Sequence, residues 1–276
     1  MKVSFLQPEG TFSHEFALQE FGGEITCLPQ PNFEKVVQAV ADGHAEAGVI
    51  PFLNSSGVTV EKAHAALHNY LSKVIVSKCA PLHVTHHVAV ADGFQQLKRL
   101  VSKKEVFPQI TTWLAQWATQ PEQVEAASTA TALQDLIASP PEDKKVTGVV
   151  CNELAIALYG GTIAHHRVQN PSNITLFLVI EPRREIIAGQ HFLVALEPTS
   201  QANYRQIIGK FSAHRFPLMF TSIWGDHSSD RPLFLEFKGP ISPQTLQEII
   251  KDTSAQIVGG YSATDSLASC VAQFFE

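Results

Sequence analysis

Apolar residues fall along this chain in short runs that alternate with stretches where they recur every three or four positions. Lys2 to Leu6 predicts a strand entering the turn Gln7-Pro8-Glu9-Gly10, and a helix starts at Thr11 with Phe12, Phe16 and Gln19 on one side. Ile25 to Leu28 predicts a strand. Phe33, Val36, Val37 and Val40 fall at i, i+3, i+4 and i+7 and predict an amphipathic helix. Ala45 to Pro51 predicts a strand, Val60 to Leu71 a helix, and Val84 to Val90 a strand whose alternation is broken by His86 and His87. Phe94 to Leu100 reads as a short helix or turn, Pro108 to Ala118 as a helix, and Val124 to Ala127 as a strand. A helix begins near Ser128 and carries Ala132, Leu133 and Leu136. Val146 to Val150 is a strand, Glu153 to Tyr159 a helix closed by Gly160-Gly161, and Thr175 to Ile180 a strand. Strands alternating with helices predict open α/β layers with a mainly parallel sheet.

Glu181-Pro182-Arg183-Arg184-Glu185 has the composition of a linker, and the pattern changes after it. His191 to Leu196 predicts a strand, Tyr204, Ile207, Ile208 and Phe211 a helix face, and Leu218 to Trp224 a second strand. Gly225 to Asp230 reads as a hairpin turn, with Pro232 to Phe237 as the returning strand. Ser242-Pro243 caps a helix with Leu246, Ile249 and Ile250 on its apolar face, and Ala255 to Gly259 is the last strand. The order β-α-β-β-α-β is that of the ferredoxin-like split unit. A tail helix over Ser262 to Phe275 follows.

Composition bounds the partners. The 276 residues are enough for one large or two modest domains, and 45% hydrophobic with 17% charged is the balance of a globular protein with real cores. The formal charge is −6, with no basic segment or tail, which argues against nucleic acid or a membrane surface as main partner. No apolar run is long enough for a signal peptide or a membrane span, and Cys27, Cys79, Cys151 and Cys270 show neither C-x-x-C nor zinc-ligand spacing. Together these predict a cytoplasmic protein with reduced thiols. Arginine is scarce: only Arg99 and Arg167 precede Arg183. An anion site in that region must therefore rest mainly on backbone amides, hydroxyls, lysine or histidine.

Three segments offer such groups where strands feed into predicted helix starts: Gly10-Thr11-Phe12-Ser13, Asn54-Ser55-Ser56-Gly57 and Ala127-Ser128-Thr129-Ala130. Free N–H groups and about half a positive charge at a helix N-terminus can hold a carboxylate without arginine. Three termini converging on one cleft would bind a small dianion. Taken singly, each Ser or Thr equally fits a helix cap.

These segments, with Pro108-Gln109, Tyr159-Gly160 and Asn170-Pro171-Ser172-Asn173-Ile174-Thr175-x-Phe177, stand in an order that resembles prephenate dehydratase over residues 1 to 182. Residues 188 to 276 resemble the regulatory ACT domain that commonly follows. The resemblance implies a two-lobed catalytic region like a periplasmic binding protein, followed by a ferredoxin-like ACT unit. The implied activity is conversion of prephenate to phenylpyruvate with loss of water and carbon dioxide. No cofactor is implied, because aromatisation of the ring supplies the driving force. The family's proton donor falls on Thr175. Thr11, Ser13, Asn54, Ser55, Ser128, Thr129, Asn173 and Arg167 are the candidate substrate-binding residues.

Several charged positions of the family pattern are replaced. Leu176 stands where the motif has its substrate-anchoring arginine, Leu53 where it has glutamate, Phe107 where it has histidine, and Gln169 where it has aspartate. Arg167, His86 and His87 are candidates to compensate. A paired-histidine metal site lacks i, i+4 spacing and an acidic partner in the sequence, so none is expected. In the ACT-like unit the phenylalanine-cradling motifs align near Ala202, Asn203, Tyr204 and Trp224, and neither is intact. That unit also implies a homodimer or homotetramer. Two other readings stay open here: a related enzyme acting on prephenate or a similar diacid, such as a non-aromatising decarboxylase, and a non-catalytic small-anion sensor.

Overall fold

The structure, a computed structural model, describes residues 1–56, 60–184, 189–196, 201–222 and 232–275, without the side chains of 189, 201, 202 and 275. The chain opens with β1 (Lys2–Leu6), α1 (Phe12–Phe21), β2 (Thr26–Gln30), α2 (Phe33–Ala41), β3 (Ala47–Asn54), α3 (Glu61–Asn69) and β4 (Val74–His83). It then builds a second layer from β5 (His87–Val90), β6 (Arg99–Ser102), α4 (Thr111–Leu114), β7 (Glu122–Glu125), α5 (Thr129–Ala138), α6 (Pro141–Lys144), β8 (Thr147–Cys151), α7 (Glu153–Tyr159) and β9 (Thr162–His165). A 3-10 turn over Lys104–Ile110 precedes α4. Strand β10 (Ile174–Pro182) returns to the first layer. The remainder is β11 (Gly189–Leu196), α8 (Gln201–Ala213), β12 (Leu218–Thr221), β13 (Leu233–Ile241), α9 (Pro243–Ile250), β14 (Ala255–Tyr261) and α10 (Leu267–Ala272).

Two sheets result. One has nine strands in the order β12-β13-β11-β14-β4-β10-β3-β1-β2, the other five in the order β7-β6-β8-β5-β9. The expected mainly parallel sheet is corrected. β1 is parallel to β2 and β3, but β10 runs antiparallel to both β3 and β4. In the second sheet β6 pairs in parallel, and β5 is antiparallel to β8 and β9. In the first sheet the returning strand β10, entering from the second layer, runs against both neighbours, and the strands β11 to β14 add three further antiparallel pairs.

Two local expectations also change. Val74–His83, absent from the sequence reading, is a ten-residue strand. Ser77, Lys78 and Pro81 interrupt its apolar run. Pro81 is tolerated because β14 is in register with β4 only at Val76, so its missing N–H leaves no ladder bond open on that side. Phe94 to Leu100 is neither helix nor only turn, because its end enters strand β6.

In the C-terminal part, β12-β13-β11-β14 are antiparallel neighbours, the ferredoxin-like arrangement. Ile207 and Phe211 of α8 and Leu246 and Ile249 of α9 pack on Phe192, Val194, Leu235 and Phe237 of its sheet. The expected hairpin turn over residues 225–230 lies outside the described residues. Sheet and core run on across the segment read as a linker. Gly259 meets Val76 so closely that a Cβ would collide with the Val76 carbonyl. One core cluster holds Phe52, Leu176 and Leu178 together with Leu193, Phe234 and Leu267. Arg183, in the middle of that segment, donates to the carbonyls of Leu71 and Ile257. Among the described residues no helix is long and apolar enough to cross a membrane.

Candidate active site

The end of β3 and the start of β10 lie side by side, with Asn54 in register with Thr175. The Asn54 side-chain amide donates one N–H to Thr175 Oγ1 and the other to Asn173 Oδ1, both at 2.9 Å. Its carbonyl Oδ1 accepts from the Ser56 backbone N–H at 2.8 Å and from the Ser56 hydroxyl. Every donor and acceptor of this amide is thereby used, which fixes its rotamer and flip state. Thr175 is half-buried and accepts from Asn54, so its own proton points elsewhere.

The chain of bonds continues into the second layer. Asn173 Nδ2 donates to Gln109 Oε1 at 2.7 Å, and His86 Nε2 lies 3.0 Å from the same oxygen. Gln109 Nε2 donates to the Glu105 carbonyl at 2.8 Å, so Oε1 is an acceptor and His86 carries its proton on Nε2. His86 is buried and pushed down to about 4 by desolvation, hence neutral at pH 7. Its Nδ1 lone pair has no hydrogen-bond partner among the described residues. Phe12, the first residue of α1, packs edge-on against its ring at 5.1 Å. Six side chains, Asn54, Ser56, Asn173, Thr175, Gln109 and His86, from the end of β3, the start of β10, the 3-10 turn and the residue before β5, thus form one continuous network across the two layers.

The hydroxyl candidates separate into two groups. Thr11 and Ser128 are helix caps: Thr11 Oγ1 accepts from the His14 N–H and donates to the Leu6 carbonyl, and Ser128 Oγ accepts from the Thr131 N–H at 2.9 Å. Ser55 is committed to the β3–β10 junction, donating to the Ser172 carbonyl at 2.7 Å and accepting from the Ile174 N–H at 3.0 Å. Ser13 and Thr129, inside the first turns of α1 and α5, are buried yet make no side-chain hydrogen bond among the described residues. The expectation of three helix termini is corrected to two. Helix α3 starts only at Glu61, and Asn54–Ser56 is a side-chain-closed turn at the end of β3. Helix α7 joins the two real termini. It packs on α5, and its residues Ala155 and Tyr159 leave no room for a Cβ at Gly10 before α1. Its cap, Asn152, also donates to Glu15 of α1 at 2.6 Å.

The replaced positions are filled by packing. Leu176 is fully buried, in the cluster with Phe52, Ile174 and Leu178, on the face of β10 opposite Thr175. Phe107 is buried against Val106 and Ile110, and Gln169 Oε1 accepts from the His86 backbone N–H at 3.0 Å. Arg167 is exposed, sits at φ 52°, and makes no hydrogen bond among the described residues. It lies near His87, whose proton affinity is lowered chiefly by burial and in smaller part by this charge, rather than in the Thr175 network. Of the effector candidates, Asn203 Nδ2 donates to Ser254 Oγ at 3.4 Å and Tyr204 packs against the core of its unit. Trp224 and the Ala202 side chain lie outside the described residues. A cavity of about 290 Å³ lined by Ile208, Arg215, Phe216 and Phe237 is also in that unit, far from Thr175 in the fold. Sequence reasoning left Gln109 out of the site, although Pro108-Gln109 was one of the motif pieces.

The family model for prephenate dehydratase matches residues 3–185. The bifunctional chorismate mutase/prephenate dehydratase of Pseudomonas aeruginosa is 27% identical over 184 residues, 65% of this chain and 48% of that protein. The chain therefore spans about half the length of the curated relatives it matches. Among solved structures, the prephenate dehydratase of Arthrobacter aurescens in complex with L-Phe superposes with TM-score 0.78 at 18% identity, over 100% of this chain and 96% of that one. A quorum-quenching acylase has the same fold, with TM-score 0.74 at 19% identity over 95% and 97% of the two chains. The family model covers about two thirds of the chain, and the chain belongs to the prephenate dehydratase family.

Proposed function

We propose that the chain converts prephenate to phenylpyruvate, with Thr175 as proton donor. One observation carries this reading: Asn54 donates to Thr175 Oγ1 and so leaves the threonine proton free for a ligand. In the reaction the bond to the ring carboxylate breaks, its electron pair enters the ring, and the ring hydroxyl departs. The products are carbon dioxide, water and the aromatic 2-oxo acid; the proton that makes water comes from Thr175, and its oxygen regains a proton from solvent before the next turnover. A threonine is a weak acid in water. It works here as a fixed donor, because the Asn54 amide stabilises the oxygen as charge develops on it.

The uncommitted hydroxyls of Ser13 and Thr129, at the positive ends of α1 and α5, are suited to the substrate carboxylates. Thr11, Ser55 and Ser128 then act through the backbone they hold. Residues 1–182 form the catalytic part in this reading, and residues 188–276 an ACT-like unit that takes an amino acid and pairs with a second copy. The ferredoxin-like strand order and the relative solved with L-Phe support that assignment.

The test is incubation with prephenate, following its consumption and the absorbance of phenylpyruvate in base. Stoichiometric phenylpyruvate is expected. Consumption without phenylpyruvate would point to a different outcome on the same substrate, and no consumption to a binding protein. Calorimetry with phenylalanine tests the ACT-like unit separately.

A further inference from the structure

Beside the Thr175 network, and not part of it, three ligand-bearing side chains meet at the end of the second sheet. Strand β5 lies between β8 and β9, with His87 opposite Cys151 and Val88 opposite His165. The chain continues two residues past Cys151 to Glu153, the first residue of α7, and one residue past His165 to His166. The sheet register itself therefore gathers His87, Glu153 and His166, and their ligand atoms all lie within 4.8 Å of one another.

His87 is the fixed member. Its side chain is 2% exposed, and neither ring nitrogen has a hydrogen-bond partner among the described residues. A buried imidazole left unpartnered on both nitrogens is costly, and it points to something else at that position. Its Nε2 is 3.5 Å from Glu153 Oε1, and its ring meets the His166 ring edge-on at 5.4 Å. A tetrahedral zinc ion with ligands at about 2.0–2.2 Å separates neighbouring ligand atoms by roughly 3.4 Å, close to that His87–Glu153 spacing. Glu153 and His166 are exposed and can close the remaining gap by small rotamer adjustments. Of the neighbouring charges, Arg167 acts against a cation at His87, whereas Glu15 on α1 acts on Glu153 with the opposite sign.

We propose that His87, Glu153 and His166 bind one divalent transition-metal ion of the zinc class, leaving a fourth position for water. Two imidazoles and a carboxylate make the donor set that zinc takes in three-ligand sites. The acidic partner that the sequence did not reveal is Glu153, brought in by α7. The proposal is independent of Thr175 and of turnover.

The test is zinc titration of the chelator-stripped protein against a chromophoric competitor. About one equivalent is expected, and loss of a ligand in His166→Ala or Glu153→Gln should weaken binding by about tenfold or more. Both positions are exposed, so the metal-free melting temperatures of these variants should match that of the parent chain. X-ray absorption of the loaded protein should show nitrogen and oxygen donors without sulfur. No zinc binding, or binding that both variants leave unchanged, would overturn the site.

Discussion

Asn54 and Thr175, 121 positions apart in the chain, are joined by a 2.9 Å hydrogen bond in which the amide donates and the threonine oxygen accepts. In the proposed reaction the direction of that bond carries the chemistry: it leaves the threonine proton to prephenate and places a donor behind the oxygen.

Reversing that direction should remove the function while keeping the shape. In Asn54→Asp the carboxylate can only accept, so Thr175 donates to it and its proton is withdrawn from the substrate. We expect kcat to fall by about ten- to a hundredfold with a smaller change in KM, the sign of an interaction made in the transition state. A rise in KM alone would place Asn54 in substrate binding instead.

Gln109 ties the two layers together. Gln109→Leu would strip the acceptor from both Asn173 Nδ2 and the buried His86 Nε2–H. Leaving buried donors unpaired costs about 1–3 kcal/mol, read as a lower urea midpoint at unchanged slope. An unchanged midpoint would mean that the network does not hold the layers.

Restoring the family arginine should not restore a stronger site. Leu176 points into an apolar cluster, so Leu176→Arg buries an unpaired charge and should cost roughly 3 kcal/mol or more. We expect a large drop in melting temperature and no gain in affinity for prephenate. A stable variant with a lower KM would show that the arginine reaches the substrate.

Much of this architecture was legible in the chain, for reasons that are local. Helix α7 runs over Glu153–Tyr159 as expected, because Asn152 caps it and Gly160 ends it at positive φ. Helix α2 follows its apolar spacing from Phe33 to Ala41. Strand β4 was hidden by its polar residues and Pro81, and its place is set by burial between distant strands. The site was half legible. Thr175, Asn54 and Asn173 lie in motifs, whereas the separation of capping from uncommitted hydroxyls depends on where each helix starts. The involvement of Gln109 and His86 depends on contacts between layers that no local pattern encodes.

Glu236 gives a pH prediction with a definite sign. It is fully buried, accepts from the Leu267 and Ala268 N–H groups at the start of α10, and lies 3.4 Å from His191 Nδ1. Burial outweighs those bonds and raises its carboxyl from 4.5 to about 7. Because the folded state holds this proton more tightly, its contribution to stability is greatest below pH 4.5, falls as pH rises to about 7, and is flat beyond. His64 and His86, both pushed down to about 4, act oppositely and lose stability as pH falls from 6.5 toward 4. The comparison with Glu236→Gln isolates the carboxyl. The stability of the parent relative to this variant should fall by about 3 kcal/mol between pH 4.5 and 8. A difference independent of pH would mean that Glu236 titrates normally.

The most direct measurement is phenylpyruvate formation from prephenate by the parent chain and by Thr175→Val, side by side, with both shown to melt at similar temperatures. The account predicts turnover by the parent and a kcat about a hundredfold or more lower in the variant, as expected for loss of a proton donor. Near-normal phenylpyruvate formation by Thr175→Val would contradict it.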